Sequence, residues 1–182
     1  MSEEVVTLTE QELQARFTTI VEHTLPYTVS VLILKQSDLT PDGIIANGTG
    51  SLVEIGESRF LITAKHVADE FSKPDLVGVI GGHGAPPVDV SNWRIIDSDS
   101  RIDVATIEVP HAFDPGTIQK QFHKPDGWPP QRAQRDEVAV FLGVPGIHRR
   151  TKTDGVINHV TPFCDFVSSA STRHFIMACE GQ

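Results

Sequence analysis

The feature that most constrains the fold is the way that turn-forming residues divide the chain after residue 26. Short apolar runs alternate there with clusters of Gly, Pro, Asn and Asp, a pattern typical of antiparallel sheets. Only residues 64–71 resemble a helix in this part, so the strand–helix alternation of a parallel α/β sheet is missing. The sequence therefore predicts an all-β fold, with strands at residues 27–35, 48–55, 59–63, 75–80, 88–96, 104–109, 137–142, 155–160 and 173–178.

A helix is predicted before this β-rich part, over residues 9–24. Thr9 and Glu12 have the spacing of a capping box, in which each side chain accepts a hydrogen bond from the other residue's backbone N–H. Pro26 cannot continue the helix, because it has no N–H and disfavours helical geometry in the residue before it. One face of the predicted helix is apolar and favours packing: Leu13, Phe17, Ile20 and Val21.

The charge and composition of the protein argue against several kinds of binding partner and cofactor. The protein has 15 basic and 24 acidic residues, a formal net charge of −9, which makes nucleic acid a poor partner. It lacks an apolar run of membrane-spanning length and a secretory leader, so we expect a cytoplasmic protein with no membrane partner. Cys164 and Cys179 are too few for a disulfide framework and are not spaced as a zinc site. We expect no metal or organic cofactor.

Two segments contain the residues that most strongly suggest a catalytic site. In the first, an apolar strand ends in Thr63-Ala64-Lys65-His66, which places one imidazole at the exit of a rigid element, where a general base could act. In the second, Asp103 opens the apolar run 104–107, where an ionised carboxylate needs hydrogen bonds or a charge partner, such as an imidazole N–H. Each residue alone also has an ordinary interpretation: His66 as a partly exposed histidine at a helix start, and Asp103 as the end of a turn.

Taken in order, these segments resemble the chymotrypsin-like (trypsin-like) serine peptidase family. That family carries a Gly-x-Gly strand, here Gly48-Thr49-Gly50, then a Thr-Ala-x-His turn and an Asp-hydrophobic-Ala strand in its first barrel. Residues 136–146 resemble the opening of its second barrel, with the Gly-x-Pro-Gly turn of bacterial members. The resemblance covers roughly residues 27–182 and implies a double β-barrel whose second barrel is incomplete. The implied parts are a helical extension (1–26), a first barrel (27–115), a connector (116–135) and a partial second barrel (136–182).

The resemblance also implies site residues and a reaction. His66 would be the general base and then acid of a Ser-His-Asp triad, and Asp103 would fix its tautomer and stabilise the imidazolium. Gly48 and Gly50 would be structural and allow close backbone packing. The implied function is a serine endopeptidase that hydrolyses peptide bonds in peptide or protein substrates.

The family's nucleophile lies in a Gly-x-Ser-Gly loop, and this tetrapeptide does not occur in the sequence. Residues 174–181 resemble the strand that leads to this loop, so we expect the loop to begin near residue 182. Cys179 is a weaker candidate for the nucleophile than a serine in that loop, because the adjacent Glu180 should raise the pKa of its thiol. A polar cluster nearby lacks the glycines of an oxyanion site and has the composition of a turn: Ser168, Ser169, Ser171 and Thr172.

The alternative function is a catalytically inactive binding or regulatory domain with the peptidase fold. An incomplete second barrel leaves strand edges unpaired, so this alternative predicts a strand-pairing partner or self-association. A third class, a small-ligand-binding β-barrel, gives no account of the turn that ends in His66.

Overall fold

The structure is a computed structural model that describes residues 9–39, 41–81, 86–127, 138–143, 150–152, 155–157, 161–170 and 175–177. For the strands after residue 137, it describes the path of the backbone.

The predicted N-terminal helix is confirmed as α1, Glu10–Thr24. Its capping box is present: the Thr9 backbone N–H donates to Glu12 Oε2 at 2.8 Å, and the Glu12 N–H donates to Thr9 Oγ1 at 3.3 Å. These bonds satisfy two donors that a helix start otherwise leaves without partners. Within the described ranges, no helix has the length and apolar character needed to cross a membrane.

Seven strands follow α1 and form one antiparallel sheet. They are β1 (Thr28–Lys35), β2 (Ile44–Ile55), β3 (Ser58–Ala64), β4 (Leu76–Gly81), β5 (Val88–Asp89), β6 (Arg94–Asp99) and β7 (Val104–Glu108), in the spatial order β5-β4-β1-β2-β3-β7-β6. A short helix, α2 (Lys65–Ala68), and a 3-10 helix (Asp69–Ser72) leave β3 at the position where the sequence predicted helical structure.

The sheet curls around its main core, although its hydrogen-bonded ladder is not closed, and a smaller cluster of Leu34, Ile44 and Val79 is separate from that core. Its two edge strands, β5 and β6, follow each other in the sequence and are joined by residues 90–93 alone. Fully buried side chains from strands right across the sheet meet in one cluster: Val29, Val31, Ile33, Leu52, Leu61, Ile80, Ala105 and Ile107. Burial of these side chains is what holds the strands in this arrangement.

The single strand predicted over residues 88–96 is wrong, because the backbone turns a corner between β5 and β6. The Ser91 N–H donates to Asp89 Oδ1 at 2.8 Å, and the Trp93 N–H donates to the Val90 carbonyl at 2.9 Å. An aspartate that accepts a hydrogen bond two residues on favours a turn over a continuous strand. The corner keeps Val90 fully buried in the core.

The segment after β7 packs against the same sheet. It contains a 3-10 helix, Pro115–Ile118, and Ile118 and Phe122 are buried in the core cluster. His123 forms a parallel bridge with Val53, which ties the segment to β2. The domain boundaries given above remain a prediction.

Five further strands are described after residue 137: β8 (Val138–Gly143), β9 (Arg150–Lys152), β10 (Gly155–Ile157), β11 (Thr161–Ala170) and β12 (Phe175–Met177). β9 pairs with β10, and a second antiparallel sheet has the order β12-β11-β8. The sequence did not predict β11, because Pro162 and the polar pair Ser168 and Ser169 interrupt its apolar pattern. The described part of the protein confirms the all-β class.

Candidate active site

The strand β3 positions His66 through a short, rigid connection. Thr63, the residue before the last of β3, is buried, and its hydroxyl donates to the Thr49 carbonyl on β2 at 2.8 Å. Its backbone pairs with Gly50. Hydrogen bonds from the hydroxyl and from the backbone therefore both hold the end of β3 against β2, three residues before His66. The sequence motif includes Thr63 but gives no indication of this contact.

Close packing of β2 against α2 and against β3 leaves no room for a side chain at two glycines. A Cβ atom added at Gly48 would lie 2.7 Å from Val67 Cγ2, and one added at Gly50 would lie 2.6 Å from Leu61 Cδ1. Neither space accepts a side chain without movement of buried neighbours. The two glycines are thus packing residues, in agreement with the structural role that the resemblance implied.

Asp103 meets His66 from the other side, immediately before β7. Its backbone has φ +51°, in the left-handed region that aspartate and asparagine tolerate better than most residues. The Asp103 carbonyl accepts the Lys65 N–H at 3.1 Å, and Asp103 Oδ1 accepts the His66 backbone N–H at 3.0 Å. Asp103 Oδ2 lies 2.6 Å from His66 Nδ1. One residue thus holds both the backbone and the ring of the histidine.

These hydrogen bonds keep the carboxylate charged and fix the imidazole tautomer. The pKa of Asp103 is lowered, chiefly because its ionised form accepts the His66 backbone N–H and then because it bonds to the His66 ring. An ionised carboxylate can only accept, so in neutral His66 the ring proton lies on Nδ1. The Nε2 atom then presents a lone pair. The His66 side chain is 71% exposed, and no hydrogen bond to Nε2 comes from the residues that the structure describes.

The Lys65 side chain pairs with Asp69 and not with Asp103. Its Nζ forms an ion pair with Asp69, at 2.6 Å to Oδ2 and 2.8 Å to Oδ1. No group of three or more His, Cys, Asp or Glu side chains within the described ranges could hold a metal ion. The chemistry that this arrangement offers by itself is proton transfer at Nε2.

The structure therefore brings together His66 and Asp103, which lie 37 residues apart in the sequence. It does not place the candidate nucleophiles. Ser168 and Ser169 lie on β11, where only the backbone is described, and Ser171, Thr172 and Cys179 lie outside the described residues.

Comparison with solved structures identifies the fold. The protein matches the crystal structure of the serine endoprotease from Yersinia pestis with a TM-score of 0.52 and 16% sequence identity, over 91% of its own length. The fold is a partial chymotrypsin-like β-barrel. The match spans 46% of the length of the Yersinia protein, so the 182 residues correspond to about half of that structure. No model of a protein family matches the sequence, and no curated protein matches it.

Proposed function

We propose that the 182 residues are part of a serine endopeptidase. They supply the general base, His66, and the orienting carboxylate, Asp103, of a Ser-His-Asp triad. Its substrates would be peptides or proteins, and its reaction the hydrolysis of peptide bonds. The observation that carries the proposal is the 2.6 Å contact between His66 Nδ1 and Asp103 Oδ2, within a fold shared with a serine endoprotease.

In this mechanism, His66 Nε2 accepts the proton of the serine hydroxyl while the serine oxygen attacks the substrate carbonyl. The imidazolium then donates that proton to the leaving amine, and the cycle repeats with water as the nucleophile. Asp103 remains ionised throughout and stabilises the positive charge that develops on the ring. Its lowered pKa supports this role, because protonation would remove both the charge and an acceptor.

The proposal requires a nucleophile in addition to the two residues named. The Gly-x-Ser-Gly sequence that carries the serine in this fold does not occur in the 182 residues. We therefore assign the base and the orienting carboxylate to these residues, and we assign the serine and the oxyanion-binding amides to sequence outside them.

The experiment is fluorophosphonate labelling of the protein as its native source produces it. This reagent reacts with a serine that a neighbouring base has activated. We expect labelling of the wild type and its loss in His66→Ala. The matched control is His23→Ala, which removes an exposed histidine of α1 whose ring contact is to Tyr27 and which lies outside the site.

Equal labelling of wild type and His66→Ala would contradict the proposal, and so would a folded protein that takes up no label. In either case the fold would serve a different role, and the binding or regulatory domain would become the better account.

A further inference from the structure

A second group of apolar side chains lies on the outer face of the sheet, opposite the main core. Val31 and Ile33 of β1 are fully buried in that core, and alternate residues of a strand face opposite sides of a sheet. Leu32 and Leu34 therefore face outward, and the strand register aligns them with apolar residues of β2 and β4. Five side chains form this outer patch: Leu32, Leu34, Ile44, Val77 and Val79.

The outer patch is covered by another layer of the protein. Leu34 and Ile44 are 7% exposed and Val79 is 8% exposed, although all three face away from the main core. A side chain on the free face of a single sheet has neighbours beside it and none above it, so burial to this degree needs a second layer.

The strands after residue 137 are positioned to supply this layer. β8 and β11 lie beside α1, which precedes β1, and β9 lies beside the 3-10 helix Pro41–Gly43, which follows β1. The described strands of the C-terminal half therefore contact the elements that flank β1 in the sequence. The outer face of β1 itself carries Leu32 and Leu34 of the patch.

The strand pair β9–β10 needs a surface of this kind for its own stability. Each strand has three residues, and among the described strands β9 and β10 pair only with each other. A two-stranded hairpin of this size is marginally stable in water unless it packs on another element. The sequence of β10, Gly155-Val156-Ile157, has the apolar composition that packing on an apolar surface requires.

Charge favours one orientation of this pair on the sheet. Residues 36–43, the loop between β1 and β2, contain Asp38 and Asp42 and no basic residue. Asp42 is exposed and belongs to the 3-10 helix that β9 lies beside. β9 contains Arg150 and Lys152 and no acidic residue. Opposite charges fix the register of an interface, so they favour β9 over β10 as the strand next to this loop.

We propose that the outer patch is the docking surface of the strand pair β9–β10, with β9 next to the acidic loop 36–43. The occupant is thus a segment of the same chain. Its docking holds the C-terminal strands against the sheet that carries His66 and Asp103. The proposal is independent of the peptidase function, because it concerns packing within the chain and requires no nucleophile.

The test is amide hydrogen exchange of the whole protein, measured by NMR for the strand pair β9–β10 and for β1–β3. A docked strand pair is protected, whereas a free hairpin exchanges nearly as fast as an unfolded peptide. We expect at least about 100-fold protection in β9–β10, at every protein concentration, because the contact lies within one chain. Exchange at the rate of an unfolded peptide would overturn the proposal. Protection that rises with concentration would also overturn it and would identify a second copy as the occupant.

A variant of the patch tests whether β9–β10 depends on it. Val79→Thr keeps a β-branched residue in β4 and places a hydroxyl group beneath the strand pair. We expect exchange in β9–β10 to become about tenfold faster, while exchange in β1–β3 changes less than about twofold. Unchanged exchange in β9–β10 would contradict the proposal.

Two charge variants test the same contact without altering a buried residue. Asp42→Lys should make exchange in β9–β10 about threefold faster. Asp126→Lys is the matched control: Asp126 is exposed and follows His123, whose bridge to Val53 lies at the far end of β2 from the loop. It should leave exchange in β9–β10 unchanged. Equal effects of the two variants would overturn the proposal, and this pair decides if Val79→Thr also loosens β1–β3.

Discussion

The two ends of strands β3 and β7 use the same scaffold in different ways. At one end, Asp103 holds His66 mainly through the backbone: its carbonyl and one carboxylate oxygen accept consecutive N–H groups, and its own backbone adopts a positive φ. At the other end, Arg59 and Arg94 are held by ion pairs between side chains. The first arrangement fixes one atom, Nε2, in a defined direction, whereas the second presents partly neutralised charge on a wider surface.

This difference indicates what each end can do. A proton-transfer site needs a fixed tautomer and a fixed ring, and the hydrogen bonds of Asp103 supply both. The ion pairs at the other end supply no such fixed proton acceptor. Changes at one end should therefore leave the other end intact, and the following predictions test this separation.

The largest effect is expected for Asp103→Asn in the protein as its native source produces it. Asparagine tolerates the positive φ at this position, so the fold is retained. Its amide cannot stabilise the imidazolium and favours the wrong tautomer, so we expect kcat for peptide hydrolysis to fall ~10⁴-fold. The NMR signal of the Trp93 indole N–H, at the other end of β3, should stay in place. A loss of activity below about tenfold would show that Asp103 is not the orienting carboxylate.

A smaller effect is expected for Gly48→Ala, which tests the packing of the end that holds His66 and Asp103. The new methyl group would lie 2.7 Å from Val67 Cγ2, so α2 must shift, at ~1–3 kcal/mol of unfolding free energy. Amide NMR signals of His66 and Asp103 should move while the Trp93 indole signal stays in place. Gly127→Ala is the matched control, because no atom lies within 4 Å of its added Cβ. Equal destabilisation by both substitutions would contradict the packing argument.

The smallest effect concerns the exposed ion pair between Asp99 and Arg101. The side-chain hydrogen bond from Arg101 lowers the pKa of Asp99 to about 2, below the value of about 3.9 for an unfolded protein. A carboxylate with a lowered pKa stabilises the fold above pH ~4, and this contribution is lost as the pH falls towards about 2. Asp99→Asn should therefore lower the midpoint of thermal unfolding at pH 7 more than at pH 3. A larger drop in the unfolding midpoint of Asp99→Asn at pH 3 than at pH 7 would contradict this prediction.

The end that holds His66 and Asp103 could be predicted from the sequence, whereas the arrangement of side chains at the other end could not. His66 and Asp103 each lie in a short contiguous motif next to a strand, and the order of the two motifs resembles that of the chymotrypsin-like peptidases, which implies a shared site. Arg59, Trp93 and His111 come from three separate segments with no characteristic spacing. The pairing of β3, β7 and β6 brings them to the same end of neighbouring strands, and the local sequence pattern does not show which strands pair.

Two errors in the strand predictions have different physical origins. The apolar alternation of residues 88–96 shifts phase at Ser91 and Asn92, where the corner between β5 and β6 lies, so the sequence contains a signal for the turn that Asp89 stabilises. The strand β11 was missed for the opposite reason, because Pro162 and two serines conceal a ten-residue strand that pairs with both β8 and β12. In β11, tertiary pairing outweighs the local signal.

The most direct test of the central claim is the tautomer of His66, measured by ¹⁵N NMR of the imidazole at a pH where the ring is neutral. We expect a proton on Nδ1, hydrogen-bonded to Asp103, and an unprotonated Nε2. Asp103→Asn should abolish this preference, whereas Asp69→Asn, which removes the partner of Lys65, should not. A proton on Nε2 in the wild type, or a spectrum unaffected by Asp103→Asn, would contradict the assignment of His66 as an oriented general base.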